Sequence, residues 1–309
     1  MDEVQAAFYR LMFRNAFLEK KGAEFQDWFA RLAARAFGPD FEAVRPYGKR
    51  GDLKCDGRRV STRTVFQCYA PYEMKEAPLN SKIERDFIGA YANWGGDMAE
   101  WVLVHNDDRG LPASSGQLLA RLRQGHPEVT IQIWTEPALQ KLADGLPLAD
   151  QQALFGFAPS KSGLETLAMA DLQPVIHQLQ FMDPEPGEEP LTPPSRNKLE
   201  KNRLSADAAA LLRLGRRKEA LVETWFTKNR RPDLGERIAE AFRRRYAQLN
   251  DGARSADQVF AHLQQYAGMG GEPARQAAVL AVLSYFFERC DIFEDPEEGN
   301  DPADQAHSA

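Results

Sequence analysis

Apolar positions along the first half of the chain alternate between a helical and a strand period. Over residues 22–37, GAEFQDWFARLAARAF places Phe25, Trp28, Phe29, Leu32 and Ala33 on one helical stripe that ends at Gly38-Pro39. Short strand patterns follow at Phe41 to Val44, at Asp52 to Val60 with a glycine interruption, and at Thr64 to Tyr69. After Pro78 the stretch SKIERDFIGAYANW is again helical and stops at Gly95-Gly96. EWVLVH (Glu100 to His105) reads as a compact buried strand, Ser114 to Gln124 as a helix, and VTIQIW (Val129 to Trp134) as one more strand. The order α-β-β-β-α-β, then α and β, predicts a mixed α/β sheet covered on both faces.

Beyond Trp134 the strand signals fade. Residues 136–155 and a segment running to about Gln180 are helical in pattern, and FMDPEPGEEPLTPPSRN is too polar and Pro-rich to build a core. From residue 199 to 289 the pattern is helical throughout. The expected organisation is an α/β domain over 1–156, a helix plus acidic, Pro-rich linker over 157–195, an all-α domain over 196–295 and a disordered acidic tail over 296–309.

Composition adds boundaries to this picture. The 309 residues carry a formal net charge of −6, with 43% hydrophobic and 27% charged positions, as a water-soluble globular protein would. Three separated cysteines (Cys55, Cys68, Cys290) and five scattered histidines exclude a disulfide framework and a Cys- or His-based zinc site. No apolar run approaches the roughly 18–20 residues of a membrane helix, and the N-terminus has no signal-peptide pattern. A cytoplasmic protein without membrane contact is expected. The charge is uneven: residues 196–245 hold 15 Lys and Arg against 7 Asp and Glu, a net of +8. Such a stretch can bind nucleic acid phosphates, form a solvated helix face or dock an acidic partner. Lys49, Arg50 and Lys54 in the first half, with Arg216, Arg217 and Lys218 in the second, are the chain's nucleic-acid-binding candidates.

The densest chemistry lies in GKRGDLKCDG (48–57), followed by VFQCY (65–69). Asp56 and Gln67 are 11 residues apart, with a polar turn between them, so the two can meet across a hairpin. Strand alternation puts Gln67 and Tyr69 on one face and Cys68 on the other. A hard divalent cation wants oxygen ligands of this kind, with Glu24 from the preceding helix as a further donor. Gly-Asp and Asp-Gly pairs are also common turn formers, so Asp52 and Asp56 have a purely structural reading as well. For Cys55 and Cys68 core packing is the expected role, for Trp225 and Phe226 core packing ahead of base stacking, for the YFFERC run the core of the last helix or an oligomer contact, and for His105 the capping of a loop.

The GD-x-x-x-D pattern ahead of a Q-x-(K) strand resembles the Mrr-type branch of the PD-(D/E)XK superfamily. GAEFQDWF, PYGKRGDLKCDG, VFQCYAP and SKIERDF together are also similar to modules of bacterial ABC-three-component and related phage-defence systems. The resemblance implies a restriction-endonuclease-like αβββαβ core over roughly residues 20–135. It further implies a Mg²⁺- or Mn²⁺-dependent DNA endonuclease, or a nuclease-derived nucleic-acid-binding component, of an anti-phage system. Asp56 and Gln67 would then hold the metal with Asp52 or Glu24. Two positions depart from the pattern. Tyr69 stands where the family has the lysine that orients water and stabilises charge, and Gln26 follows Phe25 where an acid is common. Tyr69 would be left to position phosphate or water, with Lys82 or Lys75 supplying the charge from elsewhere. The alternative is a catalytically degenerate scaffold whose helical half docks a partner protein of the same operon or a second copy of itself.

Overall fold

The computed structural model describes residues 1–45, 52–182, 202–289 and 293. The chain forms two compact units, Met12–Phe155 and Met1–Leu11 with Gly156–Ala309. Helix α1 (Glu3–Glu19) gives its first turns to the second of these, so the N-terminal eleven residues group with the C-terminal helices and not with the α/β unit.

In the α/β unit the chain runs α2 (Gly22–Phe37), β1 (Phe41–Ala43), β2 (Gly57–Arg59), β3 (Thr64–Tyr69), α3 (Glu76–Trp94), β4 (Glu100–His105), α4 (Ala113–Gly125), β5 (Thr130–Trp134), α5 (Glu136–Asp144) and α6 (Leu148–Phe155). The five strands form one mixed sheet in sequence order. β1, β2 and β3 are antiparallel, and β4 and β5 add in parallel after the crossover helices α3 and α4. Crossovers cover both faces of such a sheet, so β3 and β4 read as near-continuous apolar runs. Phe66, Cys68, Val102 and Val104 pack on Phe25, Trp28 and Phe29 of α2, while Val65, Trp101 and Leu103 pack on Ile83 and Phe87 of α3 and Leu118 of α4. Phe66 is fully buried against the rings of Phe29, Phe41 and Trp134. Truncation to alanine there costs about 3–5 kcal/mol. Gly57 is required by close approach, because a Cβ would run into the Phe41 ring.

The strand expected from Asp52 to Val60 pairs only over Gly57–Arg59. Its first part is a turn in which Leu53 and Lys54 take φ of 53° and 62°, a left-handed backbone that disfavours side chains. Tertiary bonds hold it there: Asp52 Oδ1 accepts from the Lys54 N–H at 2.9 Å, and Trp94 Nε1 donates to the Leu53 carbonyl at 3.1 Å.

The helical unit holds α7 (Lys161–Thr166), α8 (Met169–Phe181), α9 (Ala206–Arg216), α10 (Glu219–Lys228), α11 (Leu234–Leu249), α12 (Ala256–Tyr266) and α13 (Pro273–Arg289). α13 is buried on all sides from Gln276 to Glu288, which makes it the axis on which α7, α8, α9, α10 and α12 pack. Tyr285, Phe286 and Phe287 of the YFFERC run are core, and Phe226 joins them by ring contacts to Tyr285 and Phe286. The helical pattern that follows Ser205 forms two helices, α9 and α10, separated at Arg217-Lys218. Ser205 caps the first through the Ala208 N–H, and Ser255 with Gln258 forms a capping box on α12. The linker over 183–195 and the tail over 296–309 lie outside the described residues. Among the described residues no helix is long and apolar enough to cross a membrane.

Candidate active site

Asp56 is the last residue before β2, and its backbone N–H bonds the Phe66 carbonyl of β3 at 2.8 Å, so its side chain is set against that strand. It is 4% exposed. Three donors converge on it: Gln26 Nε2 of α2 on Oδ1 at 2.7 Å, and Gln67 Nε2 and the Cys68 N–H of β3 on Oδ2 at 2.8 and 2.6 Å. Burial nonetheless raises its pKa to about 6, against the lowering effects of the Cys68 N–H and the nearby Lys82 charge. Gln67 is itself buried at 3% exposure, and its Oε1 has no partner among the described residues. A buried amide oxygen left bare is uncommon and points to a group that can be received there.

A cavity of about 270 Å³ opens over this cluster, lined by Asp52, Asp56, Gln67, Tyr69, Gln26 and Lys82 among others. Lys82 comes from α3 and lies 5.7 Å from the centroid of the Tyr69 ring, within cation–π range. It is also paired with Asp86, one turn on, whose carboxylate is fully buried. Lys54 at 3.2 Å and Arg85 at 3.3 Å bind the same carboxylate. Burial works to raise the Asp86 pKa, but Lys82 and Lys54 outweigh it and hold the acid below its usual range. Three cations therefore share the Asp86 carboxylate, and one of them, Lys82, also lines the cavity.

The residues singled out from the sequence separate clearly. Asp52, Asp56, Gln67, Tyr69 and Lys82 line one cavity. Lys75 does not line it; it pairs with Glu73 at 2.9 Å on the surface. Glu24 is exposed on α2, and the side chain that reaches Asp56 from that helix is Gln26. Lys54 is engaged by Asp86. Arg216 pairs with Glu288 at 3.6 Å, and Lys218 Nζ donates to the Glu165 carbonyl at 2.9 Å. Lys218 and Arg217 border a small cavity of the helical unit with Lys161 and Leu164. Lys49 and Arg50 lie outside the described residues. Cys55 and Cys68 are buried free thiols, and burial pushes Cys55 up to about 12, which keeps it unreactive. His105 receives the Asp107 N–H on Nδ1 at 3.2 Å and so closes the loop after β4. Asp86 was not singled out from the sequence, although its i, i+4 spacing to Lys82 is a local signal of pairing.

Among the described residues no group of three or more His, Cys, Asp or Glu is placed to hold a metal ion. The donor set here is two carboxylates, Asp52 and Asp56, with the bare Gln67 Oε1. That fits Mg²⁺ or Mn²⁺ better than Zn²⁺, because Mg²⁺ is bound by one or two carboxylates and keeps several waters.

No curated protein and no solved structure matches the chain. Residues 170–294, from α8 through α13, match the family model of C-terminal domain 10 of the ABC-three component (ABC-3C) systems, so this part of the chain carries a domain of those systems.

Proposed function

We propose that the chain is a metal-dependent nuclease of an ABC-three component defence system. The run α2-β1-β2-β3-α3-β4 serves as a restriction-endonuclease-like core, and residues 170–294 serve as the part that engages a partner protein of the same system. The observation that carries this reading is the position of Lys82. It enters the Asp56–Gln67 cavity from α3 and supplies there the cation that the phenol of Tyr69 does not. Asp86 fixes the lysine in place, and Tyr69 lies under it.

In this reading Asp56, Asp52 and Gln67 Oε1 would hold a Mg²⁺ or Mn²⁺ ion, which would supply Lewis-acid polarisation of a phosphate oxygen and activation of water. Lys82 stabilises the charge that develops on the phosphate, a contribution of about 10²–10³ in rate for a preorganised donor. Gln26 and the Cys68 N–H orient the Asp56 carboxylate. The test is cleavage of DNA by the purified full chain with Mg²⁺ or Mn²⁺, with EDTA as the control. Asp56→Ala is expected to abolish cleavage, and a fully active variant would show that the chemistry lies elsewhere.

One observation favours a second reading. Asp56 already has three hydrogen-bond donors on its two oxygens, as a buried structural acid would. In that case the α/β unit is a degenerate scaffold and the chain works through its partner. Mn²⁺ titration followed by electron paramagnetic resonance separates the two, since the scaffold takes up no ion at Asp56.

A further inference from the structure

A second cavity of about 540 Å³ is lined, apart from Gln26 and Asp56, by residues that do not border the first. It is bordered by one face of α2, by Ala43 of β1 and by the two residues that follow it, and it meets the first cavity at Gln26 and Asp56. Three guanidinium groups line it: Arg31 and Arg35, one turn apart on α2, and Arg45 from the segment after β1. Arg35 donates to the Arg31 carbonyl at 3.3 Å and lies 3.7 Å from Asp150. Arg31 and Arg45 are exposed, and among the described residues neither has a carboxylate partner. The lining acids are Asp27 at the rim and Asp56 at the inner end. The remaining lining is Ala30, Ala34, Ala43 and Val44, small side chains that leave the floor open to close approach.

Arg31 and Arg45 leave their guanidinium donors open to solvent at the groove, and a planar guanidinium matches phosphate oxygens in a two-point fit. From this arrangement we infer that the groove binds the phosphodiester backbone of a nucleic acid substrate. Arg31 and Arg45 contact successive phosphates, and Arg35 braces the inner wall. The groove delivers the strand to the phosphate position beside Asp56. This inference rests on the nuclease reading for what happens at Asp56, but the binding itself does not require catalysis.

The experiment is fluorescence anisotropy of the full chain in EDTA, on a labelled single strand and on the same sequence as a duplex, over a range of salt concentrations. Wild-type protein is expected to bind at least one form with a salt-dependent affinity. The Arg31→Ala/Arg45→Ala double variant is expected to bind that form about tenfold more weakly or worse. Its salt slope should fall by about 1.4 on a single strand or about 1.8 on a duplex, the loss of two phosphate contacts. Both residues are exposed, so the fold is not at stake, and circular dichroism checks it. Arg121→Ala, an exposed position on α4 across the sheet from α2, is the control and leaves binding unchanged.

An unchanged affinity and slope in the double variant overturn the groove, as does an equal loss in Arg121→Ala or a wild type that binds neither form. If the double variant binds normally while Asp56→Ala stops cleavage, the groove fails and the nuclease reading stands. If the double variant loses binding while Asp56→Ala still cleaves, the groove stands and the catalytic reading fails.

Discussion

Gln26 donates through Nε2 to Asp56 Oδ1 at 2.7 Å, and this bond forms the partition between the two cavities of the α/β unit. A neutral amide at this point lets a buried carboxylate exist without a second negative charge beside it. Gln26→Glu reverses that condition: it removes a donor and brings two carboxylates together. In EDTA the variant should unfold with about 1.5–3 kcal/mol less stability in urea, the range for a lost hydrogen bond to a charged group. With Mn²⁺ it should recover more stability than the wild type gains, because the added carboxylate is a ligand. A variant as stable as wild type in EDTA, with no larger response to Mn²⁺, would mean that this contact does not govern the site.

The Asp56 carboxyl titrates at about 6 in the fold against 3.8 for the free side chain, because burial disfavours its charged form. The folded chain therefore binds this proton more tightly than the unfolded chain does. The stability that Asp56 contributes is complete below about pH 4 and is lost as pH rises through 6. In EDTA, urea denaturation of the wild type should lose up to about 3 kcal/mol between pH 4 and 7 relative to Asp56→Asn. Parallel stability curves for the two proteins would remove Asp56 as the titrating group.

Lys82 and Lys75 were both possible sources of the missing strand lysine, and their positions now separate them. Lys82 lines the cavity and pairs with Asp86, whereas Lys75 pairs with Glu73 on the surface. Lys82→Ala should lower kcat for DNA cleavage by about 10²–10³, the scale of one lost charge-stabilising donor. Lys75→Ala should leave kcat within twofold of the wild type. A large loss in Lys75→Ala with little in Lys82→Ala would move the cationic role to the loop.

The parts of this structure legible in sequence are those decided locally. The apolar stripe Phe25, Trp28, Phe29, Leu32 and Ala33 is the buried face of α2, and the runs at 64–69, 100–105 and 130–134 are the strands they resemble. The meeting of Asp56 with Gln67 followed from their spacing across a hairpin. The choice between Glu24 and Gln26 did not, since these residues flank Phe25 on opposite sides and only the rotation of α2 against the sheet decides which one reaches Asp56. The short β2 escaped because its turn depends on Trp94 and Asp52 holding Leu53 and Lys54 in a left-handed backbone. The arginine groove escaped for a similar reason: Arg45 joins Arg31 and Arg35 only when β1 is laid beside α2.

In the helical unit the close pairing of α9 with α13 rests on Gly215. A Cβ there would come within 2.6 Å of the Leu280 carbonyl oxygen and would also collide with Ser284. The first of these neighbours is backbone in the middle of a buried helix, so it cannot turn aside, and the two helices must separate. The gain in helix propensity from replacing glycine, about 1 kcal/mol, is smaller than the overpacking cost of about 1–3 kcal/mol together with the weakened dispersion attraction along the seam. Gly215→Ala should therefore lower the stability of this unit by about 1–2 kcal/mol. Hydrogen exchange should show faster exchange in α9 and α13 and unchanged protection in β3 and β4. Because residues 170–294 are the part matching C-terminal domain 10, the same variant should weaken capture of a partner protein of the system without lowering DNA cleavage per folded molecule. A variant with wild-type exchange in α9 and α13 would show that the seam can accept the methyl group, and the close approach would then carry no structural weight.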